Sequence, residues 1–285
     1  MRRILIFGVL ILTGCTNYGQ LTFVTKLPKK LKEVSGIVPA ANDTYWVIED
    51  SGNADNLYRV SLKGELLQKV NIKNAKNRDW EALSKDTLGN IYIADFGNNS
   101  NKRQDLVIYK VAEPTSTQEE VRAEKIKFHY PEQKRFPPKA RNFNFDAEAL
   151  FYASGYLYII NKNRSTPFKD NVSVYRVPAQ KGEYEAKKIG NITTCDDRYW
   201  CQVTGAEMSP DGKILALLGY GNIWLIQTDL ENGKVLSGKM ESIDHGASSQ
   251  LEAACFIDNN TLLLADEQGA GGGRNLYTLP ITFDK

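Results

Sequence analysis

Oxygen-bearing side chains recur at one fixed place in a short phrase that this chain repeats five times. The phrases are VSGIV, WEALS, AEALF, VTGAEM and LEAACF, separated by 46 to 67 residues. The fixed position is occupied by Ser35, Glu81, Glu148, Thr204 and Glu252. An oxygen-only set of this kind, without sulfur or nitrogen, suits Ca²⁺ better than a transition metal, and Mg²⁺ stays open. We therefore predict that these five residues, called the ring positions below, bind Ca²⁺.

A second polar layer stands two residues before the ring positions. Side chains alternate along a strand, so these residues point the same way: Glu33, Asp79, Asp146, Gln202 and Gln250. The two layers together contain six carboxylates, which could not all stay ionised at close range without a cation. The alternative is that the inward polar residues only bind channel water or join neighbouring elements by hydrogen bonds.

The elements that position these residues are short strands. In each repeat an apolar run follows the ring position by 13 to 15 residues, and a third run follows, such as LYRV, IYKV or VYRV. A repeat of three or four strands at this period is typical of a β-propeller, in which the first strand of each blade lines a central channel. The sequence thus predicts an all-β chain forming a single five-bladed β-propeller.

The blades are predicted over residues 33–72, 79–130, 146–192, 202–243 and from residue 250 onwards. The fifth blade has too little chain left for an outermost strand. The segment 21–27, LTFVTKL, precedes the first repeat and is expected to supply that strand. Pairing the two ends in this way would close the ring and remove exposed sheet edges.

Charged loop residues are expected to surround the channel on one face. Acids concentrate near the axis, where Asp79, Asp95 and Asp146 are candidates for orienting an attacking water. Basic residues spread around them, and the predicted substrate-binding set is Arg78, Arg103, Arg141, Lys162 and Arg164. This distribution suits an anion bridged by a metal, with guanidinium groups taking the remaining oxygens. For each single residue the alternative is a solvated loop charge.

The N-terminus has the pattern of a processing signal. Arg2 and Arg3 precede an apolar stretch over 4–12, too short to span a bilayer, and Leu12-Thr13-Gly14-Cys15 follows. This box resembles that of bacterial lipoproteins, which implies removal of 1–14, a lipid on Cys15, a tether over 15–20 and a propeller over 21–285. Resemblance to enteric sorting rules favours the outer membrane of the cell envelope, because Thr16 follows the cysteine. An ordinary secretory signal with an incidental cysteine is the alternative.

Charge and cysteine usage limit the remaining functions. Of 36 Lys and Arg residues, two lie in the processing signal, leaving 34 against 34 Asp and Glu, so nothing argues for nucleic acid. Export makes a disulfide between Cys195 and Cys201 the expected state, while Cys255 fits a buried thiol. Metal ligation by the pair lacks partners, because the chain has two histidines. The scarcity of histidine and the lack of a G-x-S-x-G elbow argue against a Ser-His-Asp triad.

The series Ser, Glu, Glu, Thr, Glu at the ring positions resembles the calcium-activated nucleotidase (apyrase) family, with Thr204 in place of a serine. That resemblance implies five blades, one Ca²⁺ in the channel and hydrolysis of nucleoside di- and triphosphates. It covers the blade frame and the ring but not the loops. The phrases also look like those of exported propellers related to phytase-like esterases and SdiA-regulated proteins.

Three functions follow as expectations. The first is a metal-dependent phosphohydrolase acting on an anionic, phosphate-containing substrate. The second is a non-catalytic propeller that binds or organises a component of the cell envelope, with structural calcium. The third is an esterase or lactonase that uses the same ion as a Lewis acid. The lipid on Cys15 would attach any of them to a membrane.

Overall fold

Strands and tight turns make up nearly all of the computed structural model, which describes residues 18–269 and 272–283. β-branched and aromatic runs form the strands, and Gly, Asn and Asp occupy the turns between them. Two 3₁₀ turns, Ala140–Asn142 and Leu230–Asn232, are the helical elements in this part of the chain. No described helix is long and apolar enough to cross a membrane. Cys15 and the predicted processing signal lie outside the described residues.

The strands, in chain order, are β1 (Thr22–Lys26), β2 (Val34–Ala40), β3 (Thr44–Glu49), β4 (Asn56–Ser61), β5 (Leu66–Ile72), β6 (Trp80–Lys85), β7 (Asn90–Asp95), β8 (Val107–Ala112), β9 (Glu120–Val121), β10 (Glu124–His129), β11 (Asp146–Ala153), β12 (Tyr156–Lys162), β13 (Asn171–Pro178), β14 (Gly182–Glu185), β15 (Lys187–Thr193), β16 (Val203–Met208), β17 (Ile214–Gly219), β18 (Asn222–Gln227), β19 (Met240–Asp244), β20 (Leu251–Asp258), β21 (Thr261–Asp266) and β22 (Asn275–Pro280).

These strands form five sheets, and the predicted five-bladed propeller is confirmed. Blades one to four begin with β2, β6, β11 and β16, and blade five has the order β20-β21-β22-β1. The N-terminal strand β1 pairs antiparallel with β22, from Thr22 opposite Thr278 to Lys26 opposite Asn275. The first strands contact one another around the ring, including β2 with both β6 and β20. The ring is therefore closed by the N-terminal strand, as the sequence predicts.

Two short strands join neighbouring blades through their backbones. β9 leaves blade two and pairs in parallel with β5 at the outer edge of blade one. β14 leaves blade three and pairs in parallel with β10 at the outer edge of blade two. The sequence analysis did not predict these additions. Each covers an edge strand that would otherwise expose unpaired N–H and C=O groups.

The hydrophobic core lies between the blades rather than in the channel. Five clusters of buried apolar side chains each join residues of two adjacent blades. Trp46, Trp80 and Trp224 are among the largest fully buried side chains. Packing of apolar faces between blades leaves the polar first-strand residues free to face the axis.

The ladder between the first and second strands is interrupted at the same place in every blade. One residue of the first strand is skipped there, and the skipped residues are the ring positions Ser35, Glu81, Glu148, Thr204 and Glu252. A β-bulge of this kind bends the strand and re-aims the extra side chain. Five equivalent bulges thus turn the ring positions towards the axis.

Candidate functional site

Seven carboxylates surround one end of the channel, which we call the channel mouth. They are Asp50, Asp79, Glu81, Asp146, Glu148, Glu252 and Glu267, and we call them the axial acids. Asp79 and Asp146 belong to the second polar layer, and three others are ring positions. Each axial acid lies close enough to another for their charges to interact. The structure therefore brings together five of the six carboxylates predicted for the two layers, and the charge of the sixth, Glu33, acts on Asp50 and Glu267.

The two hydroxyl ring positions serve a different purpose from the carboxylates. Ser35 Oγ donates to the carbonyl of Trp80 at 2.6 Å, and Thr204 Oγ1 donates to the carbonyl of Leu251 at 2.7 Å. Each hydroxyl thereby joins its blade to the next one. An ionised carboxylate can only accept hydrogen bonds, so the glutamates cannot replace these donors. Ser35 and Thr204 thus form hydrogen bonds between neighbouring blades.

A compact acidic cluster lies where blades one and two meet. Asp50, Asp79 and Glu81 each offer a carboxylate oxygen, and these oxygens lie within 4.8 Å of one another. Gly97 approaches the same place, and a Cβ there would collide with Glu81 Oε1 and with the carboxylate of Asp79. Three hard oxygen donors at this spacing fit a divalent cation of the Ca²⁺ or Mg²⁺ type. This cluster includes one ring position and adds Asp50, which the sequence analysis did not select.

The blade-three side of the mouth is neutralised by two cations. Lys162 Nζ lies 3.4 Å from Glu148 Oε2, and Arg164 Nη2 lies 3.1 Å from Glu148 Oε1. Arg164 Nε also pairs with Asp146, whose other oxygen accepts the N–H of Asn98 at 2.6 Å. Glu148 therefore differs from Glu81, although both occupy ring positions. Its charge is balanced by the protein itself.

Glu252 has a third kind of environment. The hydroxyl of Tyr220 donates to Glu252 Oε1 at 2.7 Å, and Lys162 Nζ lies 3.3 Å from the same hydroxyl. A single line of contacts therefore runs from Glu252 through Tyr220 and Lys162 to Glu148. Tyr220 was not among the residues selected from the sequence.

Of the two residues that the sequence analysis selected from the second strands, the structure brings Lys162 to the mouth and not Asp95. Asp95 and Asp266, which end β7 and β21, turn into their own blades. Asp95 pairs with Arg103, and Asp266 accepts from Tyr277 and the N–H of Asn275. At or just beyond the ends of four second strands, Asp50, Lys162, Tyr220 and Glu267 face the mouth, whereas Phe96, which follows Asp95 in blade two, is buried in the core. Strand alternation accounts for the difference, because neighbouring side chains point to opposite sides.

Most of the predicted substrate-binding cations are already ion-paired. Arg103 lies 2.9 Å from Asp95 and 3.2 Å from Asp105, and Arg78 lies 2.6 Å from Asp105. Asp95 is buried in this arrangement, and it also accepts the N–H of Asp79. Asp95 therefore anchors Arg103 instead of facing the mouth as an orienting base.

Arg141 is set apart from the other predicted binding residues. It lines a cavity of about 560 Å³ between the 131–145 insertion and blade three, together with Lys134, Arg135 and Lys139. None of the axial acids lines this cavity. The structure thus does not bring Arg141 to the site that holds the carboxylates.

Burial and mutual repulsion raise the proton affinity of the axial acids. Burial, followed by the charge of Asp79, raises the pKa of Asp50 to about 6. Burial, followed by Asp50, raises the pKa of Glu267 to about 7. Burial raises the pKa of Glu252 to about 7 although Lys162 opposes the shift.

Two more axial acids are shifted in the same direction. Burial, followed by Glu148, raises the pKa of Asp146 to about 7, against the effect of Arg164. Burial and the charges of Glu148 and Asp50 hold the pKa of Glu81 well above its usual range. Carboxylates that stay this close gain from either a bound proton or a bound cation.

Three cysteines lie in the described part of the chain, and two of them are bonded to each other. The structure joins Cys195 and Cys201 by a disulfide, in the loop between blades three and four. Cys255 is a free thiol buried in β20.

Comparison with known proteins indicates the fold and not a family. No family model and no curated protein matches the chain. The PQQ-bound aldose sugar dehydrogenase of Streptomyces coelicolor has a TM-score of 0.52 at 11% identity, covering 92% of this chain and 98% of that chain. A gluconolactonase of Xanthomonas campestris has a TM-score of 0.51 at 10% identity, covering 92% and 89%. Neither is a nucleotidase, so the predicted resemblance is confirmed for the propeller fold alone.

Proposed function

We propose that the protein is a metal-dependent hydrolase of the esterase or lactonase class, working at the channel mouth on an uncharged ester or lactone. The observation that carries this proposal is the pairing of the cations. Arg78, Arg103, Lys162 and Arg164 all contact carboxylates of the protein. A phosphate entering the mouth would therefore meet the axial acids while each of these four cations is already paired with a carboxylate of the protein. A neutral carbonyl compound carries no such electrostatic cost.

The cation is assigned to Asp50, Asp79 and Glu81. Their oxygens lie within 4.8 Å of one another, and all three are hard donors on which Ca²⁺ is favoured over softer metals. When bound, such an ion would polarise a carbonyl oxygen of the substrate. Glycine at position 97 leaves space beside these carboxylates, because a side chain there would collide with Glu81 and Asp79.

Glu267 is the residue we assign as general base. Without the cation the pKa of Glu267 is raised to about 7, and a cation bound beside it would lower that pKa, so Glu267 would be ionised and able to accept a proton at neutral pH. It lies beside Asp50, hence beside the proposed cation. Glu267 would take a proton from water as the water oxygen attacks the carbonyl carbon, and return it to the leaving alkoxide oxygen. One water is consumed, and the products are a carboxylic acid and an alcohol, joined in one molecule when the substrate is a lactone.

The fold likeness to a gluconolactonase agrees with this class of reaction, although at 10% identity it carries no assignment of substrate. The phosphohydrolase expected from the nucleotidase resemblance loses its main physical support, since four of the predicted anion-binding residues are paired and Arg141 lies at a separate cavity. A non-catalytic binding propeller remains the competing function, because propellers serve readily as scaffolds.

The test is a hydrolysis panel of p-nitrophenyl esters, γ- and δ-lactones and phosphate esters, each with Ca²⁺, with Mg²⁺ and with chelator. Wild type is compared with Glu267→Gln and Asp50→Asn, and with the exposed control Glu119→Gln. We expect cation-dependent turnover of esters or lactones that both mouth variants lose, commonly by 10²-fold or more for a general base, and that the control keeps. Release of phosphate instead would support the phosphohydrolase. Failure on every substrate, with cation binding intact, would support the binding propeller.

A further inference from the structure

We propose that Tyr199 and Trp200 form an aromatic platform at the rim of the channel mouth that stacks against the ring of a sugar. This inference deepens the proposed function, because it makes a carbohydrate ester or sugar lactone the substrate class. The binding claim itself depends only on the geometry of the rim.

The platform stands on a loop held in one shape. The disulfide between Cys195 and Cys201 closes the loop, and the N–H of Cys201 donates to the carbonyl of Asp197 at 3.0 Å. Asp197 Oδ1 accepts the N–H groups of Tyr199 and Trp200, both at 2.8 Å. The two aromatic residues are thus displayed by a turn whose backbone is fixed by covalent and hydrogen bonds. A pre-organised surface loses less entropy when a ligand binds.

The same loop is tied to the neighbouring blade. Arg198 Nη2 donates to Thr166 Oγ1 at 3.0 Å and to the carbonyl of Ser165. These contacts join the loop to the segment that follows Arg164, which pairs with Asp146 at the mouth. The platform and the axial acids are therefore both connected to the segment that follows the second strand of blade three.

The aromatic side chains are unusually open to solvent. Tyr199 is 53% exposed and Trp200 is 45% exposed, whereas Trp46, Trp80 and Trp224 are at most 2% exposed. Since the chain has four tryptophans, Trp200 is the accessible one. Exposed rings of this size at a polar mouth are more typical of a ligand-binding surface than of an ordinary loop.

The rings are arranged as a continuous surface. Tyr199 stacks on Tyr220 at a centroid distance of 5.3 Å with an interplanar angle of 23°, and Trp200 meets Tyr199 edge to face at 4.9 Å. A Cβ on Gly221 would lie 2.8 Å from the Trp200 ring, so glycine is what lets this ring lie against the backbone.

The platform reaches one of the axial acids, Glu252, through a single residue. Tyr220, on which Tyr199 stacks, donates its hydroxyl to Glu252 at 2.7 Å. Lys162 Nζ lies 3.3 Å from the same hydroxyl. A ligand resting on the rim would thus have apolar ring faces on one side and hydrogen-bonding groups of the mouth next to them.

A sugar ring fits that combination better than a lipid or a plain apolar ring. One face of a pyranose presents C–H groups, which pack on aromatic rings, while its edge carries hydroxyls that need polar partners. The loop also carries the exposed carboxylates of Asp196 and Asp197, which would repel an anionic membrane surface. We therefore assign the platform to a sugar ring.

Trp200 provides a direct readout. Its fluorescence should dominate quenching by acrylamide, because the other three tryptophans are buried. We expect methyl glycosides and sugar lactones to protect it from quenching, whereas cyclohexanol should give no protection. Tyr199→Ala should weaken binding of the same sugars by about three- to tenfold, the loss expected for one aromatic contact. The control Phe136→Ala removes another exposed aromatic ring and should leave sugar binding unchanged.

Two further variants separate this inference from the proposed function. Trp200→Phe should retain sugar binding in a saturation-transfer NMR measurement while losing the fluorescence signal. Asp50→Asn should lose hydrolysis but keep Trp200 protection by sugars. Protection with no hydrolysis in wild type would overturn the hydrolase and leave the platform standing. No protection by any sugar, or protection by anionic phospholipid vesicles in place of sugars, would overturn the platform.

Discussion

Lys162 and Glu148 form a buried ion pair at the channel mouth, with Nζ 3.4 Å from Oε2 and both side chains only 5% exposed. The lysine ends the second strand of blade three, and the glutamate occupies the ring position of the same blade. The ring positions repeat five times in the sequence, but the charge around them differs from blade to blade. Blade three supplies its own positive charge, while among the described residues Asp50, Asp79 and Glu81 make no ion pair with a lysine or arginine.

Removing this lysine should destabilise the fold. In Lys162→Met the burial of Glu148 continues while its more deeply buried cation is lost, which typically costs about 3 to 5 kcal/mol for a broken buried pair. Arg164 still contacts Glu148, so we expect the lower part of that range. Urea denaturation measures the change, and the exposed Lys102→Met is the control. The double variant Lys162→Met with Glu148→Gln should recover part of the loss. Equal stability of Lys162→Met and wild type would contradict a stabilising role for the pair.

A cation should act through blades one and two more than through blade three. At a hundredfold excess over Kd, binding to the native state alone adds about 2.7 kcal/mol of stability. We therefore expect Ca²⁺ to raise the melting temperature of wild type. Asp50→Asn should remove that increase, whereas Glu148→Gln should leave most of it. Loss of the response in Glu148→Gln with full retention in Asp50→Asn would favour the ring positions as the ligand set.

The stability of the cation-free protein should fall as the pH rises from about 5 to 8. Asp50, Asp146, Glu252 and Glu267 have folded-state pKa values of about 6, 7, 7 and 7, all above their usual values. A raised folded-state pKa means that the folded state binds the proton more tightly. The stabilisation is fully present below the unfolded pKa and is lost as the pH passes the folded pKa. Melting curves in chelator test this, and Ca²⁺ should flatten the dependence. A melting temperature that rises over this interval in chelator would contradict it.

The sequence predicted the ring positions but not the β-bulges that turn their side chains towards the axis. The repeat placed three glutamates and two hydroxyls correctly on first strands. It gave no direct sign that each is the extra residue of a β-bulge, because a bulge depends on the register with the next strand. One signal was present: the residue after every ring position is small, as in Gly36, Ala82 and Ala149. A Cβ on Gly36 would lie 2.5 Å from the backbone of Leu83, so blade one leaves no room for a side chain at this position.

For a related reason, the sequence predicted only two of the three residues of the cation cluster. Asp79 and Glu81 followed from alternation along a first strand, but Asp50 lies just beyond a second strand and was not selected. Its neighbour Glu49 points elsewhere and accepts the N–H of Lys32 at 3.1 Å. The pairing of Arg103 with Asp95 was equally hidden, because it depends on how a loop folds back. Such contacts are set by tertiary structure, which no local pattern encodes.

The lipid anchor stays a prediction, since Cys15 lies outside the described residues. Wild-type protein expressed in a bacterium with lipoprotein processing should fractionate with membranes and carry an acyl mass on Cys15. Cys15→Ala should instead appear as soluble protein or as an uncleaved precursor. A processed Cys15→Ala form that remains in the membrane fraction would contradict the anchor. The pair variant Cys195→Ala with Cys201→Ala serves as the control, because it should leave fractionation unchanged.

The parallel strands β9 and β14 have a mechanical consequence. β9 pairs with blade one and β14 with blade two, although each belongs in sequence to the following blade. Blades one, two and three are thus joined by backbone hydrogen bonds at the circumference and by apolar packing nearer the axis. They should behave as one cooperative unit, whereas blade four lacks such a strand among the described residues. Opening fluctuations of the ring would then concentrate beside blade four, on the side of the mouth that carries the aromatic platform of Tyr199 and Trp200.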